Sequence, residues 1–323
     1  MNDVKVAIVK GTDPRKITLE ALELIGASSI LPRKKEVLVK PNCVFPKMPS
    51  TGVTTDPRVV QGILEFLNKN SLTKVIIGEG GNRNTDKTFE LTGMRKVADD
   101  YGARLVNFNN DEAEEVDIPG ANALHRVNIA KTVLNCPFIV NTPKLKIHHM
   151  AQVTLSIKNL MGVIVGDRGA IMHQQIDTKL VDLASLVKPR LNVIDGVVGC
   201  EMDEVEGEPL RMNLVIAGTD MVATDAVGSA VMGVDPRGVR HIQLAEQRGL
   251  GEADLDAISV VGEAVEDVKK DFRTCFSKLR LKEYGFDYDA GESVLRPIFE
   301  GVGSSLPTGR RKQRAGTKQV DTN

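Results

Sequence analysis

The stretch EVLVKPNCVFPKMPSTGVTTDPRVVQGILEFLNKNSLTKVIIG, residues 36–78, decides the fold. It opens with EVLVK (36–40) and closes with KVIIG (74–78), two short runs that are apolar nearly throughout, as strands covered on both faces should be. Between them Asp56 precedes Pro57, an N-cap acid ahead of a proline at the first helical position. Val59, Val60, Ile63, Leu64 and Leu67 then recur at helical spacing and form one apolar stripe. Strand, helix and strand at this spacing predict a mostly parallel sheet with helices packed on it.

Outward from this unit the pattern repeats. Further strands are predicted at VKVAIV (4–9), ARLVNF (103–108), PFIVN (137–141), LNVID (191–195), NLVIAG (213–218) and AISVVG (257–262). Asp13-Pro14 and Asp235-Pro236 repeat the helix-start signal, and apolar stripes recur at Leu180, Leu183, Ala184, Val187 and again from Val222 to Val231. The expected fold is therefore α/β, a mostly parallel open sheet with helices on both faces, over residues 1–262. An acidic run between Asn109 and Ala130 reads as a solvated excursion. Residues 263–302 read as a charged helical extension and 303–323 as a disordered basic tail, because the tail has almost nothing apolar to bury.

Composition removes several function classes. Net charge is −1 and aromatic residues total 4% with no Trp, so neither a global attraction to nucleic acid nor a base-stacking platform is expected. Only the tail cluster Arg310, Arg311, Lys312, Arg314 and Lys318 could touch RNA or acidic lipid, and a solvating role suits it better. No apolar run approaches the roughly 20 residues that span a bilayer, and the N-terminus already reads as a strand, so a cytoplasmic location is expected. The four cysteines (Cys43, Cys136, Cys200, Cys275) are scattered without a CxxC pair, which does not support a ferredoxin-type iron–sulfur cluster.

Chemistry in an open parallel sheet sits beyond the carboxyl ends of its strands. Five predicted strands deliver polar groups there: Lys40 and Asn42, Glu79, Lys144 with Lys146 and His148, Asp195, and Asp220. The segment NTPKLKIHHMAQVTLSIKNLMGVIVGDRGAIMH (141–173) is the most unusual, with three of the five histidines and with Lys144, Lys146, Lys158 and Arg168 against the single acid Asp167. Lysines and glycine-bearing backbone can converge on a phosphate, a carboxylate or an enolate-like anion; a solvated basic face is the plainer alternative. Residues 195–208 are the acidic counterpart, with Asp195 at a strand end and Glu204, Glu206 and Glu208 expected in an exposed loop. A divalent cation would be held by Glu79, Asp195 and Asp220, since hard cations want convergent carboxylates. No dinucleotide, P-loop or GxSxG signature is present, and His148, His149 and His173 match no standard zinc spacing.

At VKPNCV (39–44), TDPRVVQGILEFL (55–67), VIIGEGG (75–81), FIVNTPKLKIHHMAQVTLSIKNLMGVIVG (138–166), VIDGVVGCE (193–201) and AGTDMVATDAVGSAVMGVDP (217–236) the chain resembles the family catalogued as domain of unknown function 362. The resemblance implies an α/β fold and no established reaction. Many relatives carry ferredoxin-like cysteine motifs, which this sequence lacks. Position by position it adds weight to Lys40, Asn42, Lys144, Lys146, His148, Lys158, Asn159, His173, Asp195, Asp220 and Asp225, the last expected to anchor structure.

The expectation is an enzyme-like protein that takes a small anionic molecule. His148, His173 and Lys158 are the expected catalytic groups, and Lys40, Asn42, Lys144, Lys146, Asn159 and Arg168 the expected binding groups. The alternatives are a redox accessory protein holding a metal or cluster, and a binding module without catalysis. The oligomeric state is not legible.

Overall fold

The computed structural model describes residues 4–33, 35–82 and 84–274. Twelve strands are present among them: β1 (Val4–Lys10), β2 (Val37–Pro41), β3 (Val75–Glu79), β4 (Arg104–Asn107), β5 (Ala113–Asp117), β6 (Arg126–Ala130), β7 (Ile139–Thr142), β8 (Lys144–His148), β9 (Gln152–Thr154), β10 (Leu191–Glu201), β11 (Glu208–Gly218) and β12 (Ile258–Gly262). All eight strands expected from the sequence are among these. The main sheet runs β12-β1-β11-β10-β7-β2-β3-β4, with β8 paired to β10 and to β9, while β5 and β6 form a separate antiparallel hairpin. Most pairings in the main sheet are parallel, and β2, β3 and β7 are buried along their whole length. Strands with helices on both faces need no polar side to show to water, which is why their sequences do not alternate.

Two apolar layers flank the sheet. One packs helices Pro14–Leu24, Pro57–Lys69 and Met94–Tyr101 through Ile17, Leu22, Val60, Ile63, Leu67 and Val97. The other packs helices Ile176–Leu186, Met221–Val231 and Arg240–Gln247 through Leu180, Leu183, Val222, Val227 and Ile242. Each such side chain contributes about 1.5–3 kcal/mol of hydrophobic burial. The helix starts follow the sequence: Asp13, Asp56 and Asp235 each accept a hydrogen bond from the backbone N–H two residues on.

Three features depart from expectation. First, β11 runs antiparallel to both β10 and β1. It follows β10 through the short turn 202–207, and a parallel return would need a crossover of a dozen or more residues. Second, part of the excursion 109–130 is ordered as the β5–β6 hairpin. Third, the described part of the C-terminal extension is helical only over Val265–Val268; beyond it the backbone bonds to Val231 and Met232 at the end of the helix Met221–Val231 and to Met202, Phe272 is buried and Arg273 pairs with Glu201. The remainder of the expected extension and the basic tail lie outside the described residues. No described helix is long and apolar enough to cross a membrane.

Candidate functional site

The chain from Ile139 to His148 follows β10 in two steps. β7 pairs with the start of β10 at Leu191 and Asn192, Pro143 interrupts, and β8 pairs again further along at Asp195 and Cys200. This step carries Lys144, Lys146 and His148 past the ends of β2 and β3 and buries all three. A tight turn then reverses the chain into β9, with Gln152 in the left-handed region (φ 66°). Next, the short helix Ser156–Asn159 presents Lys158 and Asn159. Its first backbone N–H groups, of Ser156 and Ile157, donate to the carboxylate of Asp225 at 2.6 and 2.9 Å. The structural role expected of Asp225 is therefore its role.

These elements enclose a cavity of about 440 Å³ lined by Asn42, Glu79, Lys146, His148, His149, Lys158, Asn159, Arg168, His173 and Glu204, among others. Eight residues expected at a shared site therefore meet at one cavity. Lys40 lies beneath it, fully buried, with its ammonium 2.9 Å from Glu79 Oε2. Gly162 covers that pair, and a Cβ there would stand 1.8 Å from Glu79 Oε1 and 2.8 Å from Lys40 Nζ, so a larger residue would displace the ion pair.

Of the four buried lysines three are engaged. Lys40 holds Glu79, and Lys144 holds Asp195 at 2.6 Å. Lys146 donates to Val53 O, Glu204 O and Asn42 Oδ1 at 2.9, 3.0 and 3.3 Å. From Asn42 a run of amides continues: Asn42 Nδ2 donates to Asn159 Oδ1 and Asn159 Nδ2 to Asn141 Oδ1. Lys158 is the exception. Its side chain is nine-tenths buried, and among the described residues no hydrogen bond or ion pair reaches its ammonium. Burial lowers its pKa to about 8, although Glu204 favours the charge from beyond ion-pair distance; burial brings Lys146 to about 8 as well.

The histidines divide by chemistry. His148 Nδ1 accepts hydrogen bonds from the backbone N–H groups of Met150 and Ala151 at 3.0 and 3.1 Å. That nitrogen carries no proton, so the neutral ring carries its proton on Nε2. Burial, with the charge of Lys158 added, holds His148 well below the usual histidine pKa and keeps it neutral. A ring fixed in this state is a hydrogen-bond donor and not a proton shuttle, which corrects the acid–base role expected of it. His149 stacks on it with ring centroids 5.0 Å apart. A hydrogen bond from Nδ1 to the Glu204 carboxylate raises the His149 pKa. Burial works against the Glu204 charge, yet the Nε2–H of His148, 3.6 Å away, and the hydrogen bond from His149 hold the carboxylate well below the ordinary range. His173 stands exposed at the cavity mouth, its pKa lowered by partial burial and by Lys158. Among the described residues no hydrogen bond or ion pair holds its side chain, so it is the cavity histidine open to proton exchange with solvent.

Glu204 and His149 line the cavity but stand outside the expected catalytic, binding and metal residues. Glu204 was expected in an exposed loop, but the turn after β10 folds it back against His148 and His149. The one available signal was the acidic run 195–208 opposite the basic segment.

The expected metal ligands do not come together. Glu79 is paired with Lys40, and Asp195 with Lys144 and the backbone N–H of Asp56. Asp220 caps the helix Met221–Val231 by accepting from Val222 and Ala223 N–H. It sits at the opposite edge of the sheet because β11 runs antiparallel. His148, His149 and Glu204 do bring ligand atoms within 4.8 Å of one another. They fit a cation poorly, since the pinned Nδ1 leaves the proton on the Nε2 that would have to ligate. The described cysteines stand apart: Cys136 Sγ donates to Glu36 O and Phe138 O, Cys200 Sγ to Asp203 O, and Cys43 is fully buried, its thiol pushed up by burial.

The cavity thus combines three cations (Lys146, Lys158, Arg168) and a neutral imidazole donor with the Glu204 carboxylate, which is paired with His149; its other carboxylates, Glu79 and Glu206, are paired with Lys40 and Lys47. Arg168 is oriented by donating to Gly81 O at 3.2 Å and to Asn109 Oδ1. Chemically the arrangement can bind an anion and hydrogen-bond to an oxygen on it.

Among known proteins, the thylakoid-associated protein sll1697 of Synechocystis sp. (strain ATCC 27184 / PCC 6803 / Kazusa) is 23% identical over 244 residues, covering 70% of this chain and 71% of that protein. A solved structure, the lactate racemase apoprotein from Thermoanaerobacterium thermosaccharolyticum, matches with a TM-score of 0.39 and 12% identity, over 69% of this chain and 57% of that one. The chain thus spans little more than half of that structure. The blocks that build the cavity, from β2 through the helix after β11, lie within residues 37–230, and over those residues the chain belongs to the family described as a domain of unknown function (DUF362).

Proposed function

We propose that the cavity binds a small anionic molecule bearing a carboxylate or phosphate, and that the protein is an enzyme acting on it. The observation that carries this reading is the Lys158 ammonium, nine-tenths buried and without a partner among the described residues, in a cavity whose carboxylates Glu79, Glu204 and Glu206 are already paired with Lys40, His149 and Lys47. A buried cation is costly unless something compensates it, and a bound anion would supply the missing charge. Lys146 and Arg168, already fixed by hydrogen bonds, add to the attraction at low local dielectric. His148 would donate its Nε2–H to an oxygen of the ligand, polarising it as a neutral imidazole does. His173, exposed at the mouth, would take or return a proton. We place the protein in the cytoplasm, in keeping with its free thiols.

Titration calorimetry and thermal shift with inorganic phosphate and with small mono- and dicarboxylates test this. Stabilisation should rise with anion concentration, as for any ligand selective for the folded state, and should disappear in Lys158→Met. If no anion stabilises the wild-type chain, or Lys158→Met responds as the wild type does, the reading is wrong.

A further inference from the structure

A plain anion anchor and a reactive amine differ in whether the nitrogen's lone pair can be released. Lys146 and Lys158 share a cavity and a similarly lowered proton affinity. The nitrogen of Lys146 is surrounded by three acceptors, Val53 O, Glu204 O and Asn42 Oδ1. Those contacts hold its N–H groups in place and leave no direction for attack. Lys158 Nζ has no such acceptors among the described residues and opens on the cavity. Two groups that carbonyl addition requires line the same cavity. His148 offers a fixed N–H for the carbonyl oxygen, since its Nδ1 is held by Met150 and Ala151 N–H. His173, at the mouth, is a base for the ammonium proton.

We propose that Lys158 is a nucleophilic amine that forms a Schiff base with an aldehyde or keto group of the anionic ligand. In that step the ammonium first loses a proton to His173. The free amine's lone pair attacks the carbonyl carbon, and the C=O π pair moves to the oxygen beside His148 Nε2–H. A proton passes from nitrogen to that oxygen to give a carbinolamine. Protonation by the His173 imidazolium then expels the oxygen as water and leaves the iminium. One C–N double bond replaces one C–O double bond, one water is released, and nothing is oxidised or reduced. Desolvation and neighbouring positive charge are the usual ways by which a lysine becomes nucleophilic at neutral pH, and Lys158 has both. This proposal rests on the anion-binding reading and narrows it to carbonyl-bearing anions.

The test treats the full chain with glyoxylate, the smallest carboxylate that carries an aldehyde, and with sodium cyanoborohydride, which reduces an imine to a stable carboxymethyl amine. Peptide mapping follows the labelling of each lysine over time. Lys158 should label about tenfold faster than the exposed Lys96, Lys146 should lag behind both, and inorganic phosphate should protect Lys158. Lys158→Arg should keep phosphate binding and lose the fast-labelling peptide. The proposal is overturned if Lys158 labels no faster than Lys96 while phosphate still stabilises the protein, which leaves a simple anion anchor. If phosphate and glyoxylate both fail to stabilise the chain and Lys158 stays unlabelled, this proposal and the anion-binding reading fall together.

Discussion

Lys158→Met should make the ligand-free protein more stable, not less. Each tenfold loss of proton affinity on folding is worth about 1.4 kcal/mol. The fall of Lys158 from 10.5 to about 8 therefore corresponds to about 3 kcal/mol by which folding disfavours its charge at pH 7. Methionine keeps most of the apolar stem that packs along the cavity wall, so a net gain of about 2 kcal/mol is expected. The sign follows from linkage. The folded state binds this proton more weakly than the unfolded chain does. Wild-type stability therefore rises as pH increases from about 8 to 10.5, and the advantage of the variant fades over the same window. Urea unfolding of both proteins at pH 7 and again above pH 9 measures the difference. If the variant is destabilised by more than about 1 kcal/mol at pH 7, Lys158 has a partner in solution and the unneutralised-cation argument fails. A difference that does not change with pH would refute the desolvation account separately.

Asp220→Ala removes the cap of the helix Met221–Val231 and should lower stability by about 1 kcal/mol while leaving phosphate affinity unchanged, because Asp220 lies at the far edge of the sheet; parallel denaturation and calorimetry check both halves. The His149–Glu204 contact predicts a pH effect of opposite sign to that of Lys158. A histidine whose folded pKa is raised by its hydrogen bond to a carboxylate stabilises fully below the unfolded value of 6.5 and loses that contribution as pH rises through the folded value. With part of the His149 ring open to water, the effect should stay below about 1 kcal/mol, and it should vanish in Glu204→Gln, as read from urea midpoints at about pH 5 and about pH 8.

Much of the fold is legible because it rests on local signals. The Asp-Pro helix starts and the apolar runs of β2, β3 and β7 are consequences of burial on both faces, and neither depends on distant contacts. The direction of β11 is not such a signal. Its C-terminal half, Leu214–Gly218, is buried as completely as a parallel strand, so composition gives no hint that it runs backwards. The informative feature is the stretch 196–212, which holds no helix-length apolar stripe and so cannot carry a parallel crossover. Reading NLVIAG as one more parallel strand placed Asp220 among the site residues, and the antiparallel return of the chain takes it out.

Within the site, residue type was legible and pairing was not. Lys40, Lys144, Lys146 and Lys158 look alike in the sequence: basic residues near strand ends. What separates them is set by residues far along the chain. Glu79 reaches Lys40 from β3, Asp195 reaches Lys144 from β10, and Val53 with Glu204 encloses Lys146. Each of those contacts spans 39 residues or more. Lys158 is distinguished by lacking one, a property no local window can contain. The same reasoning explains His148. Its sequence neighbour His149 has the same side chain, yet the turn into β9 aims two backbone N–H groups at one ring and leaves the other to Glu204. A fixed neutral donor, an imidazole paired with a carboxylate and an unpartnered amine therefore arise from residue types that the sequence could only describe as basic. Their division of roles comes from the hydrogen bonds each nitrogen has already made, which is why substitutions at Lys146 and Lys158 are expected to have opposite effects on stability: the first leaves carbonyl oxygens without a donor, and the second removes a charge without a counterpart.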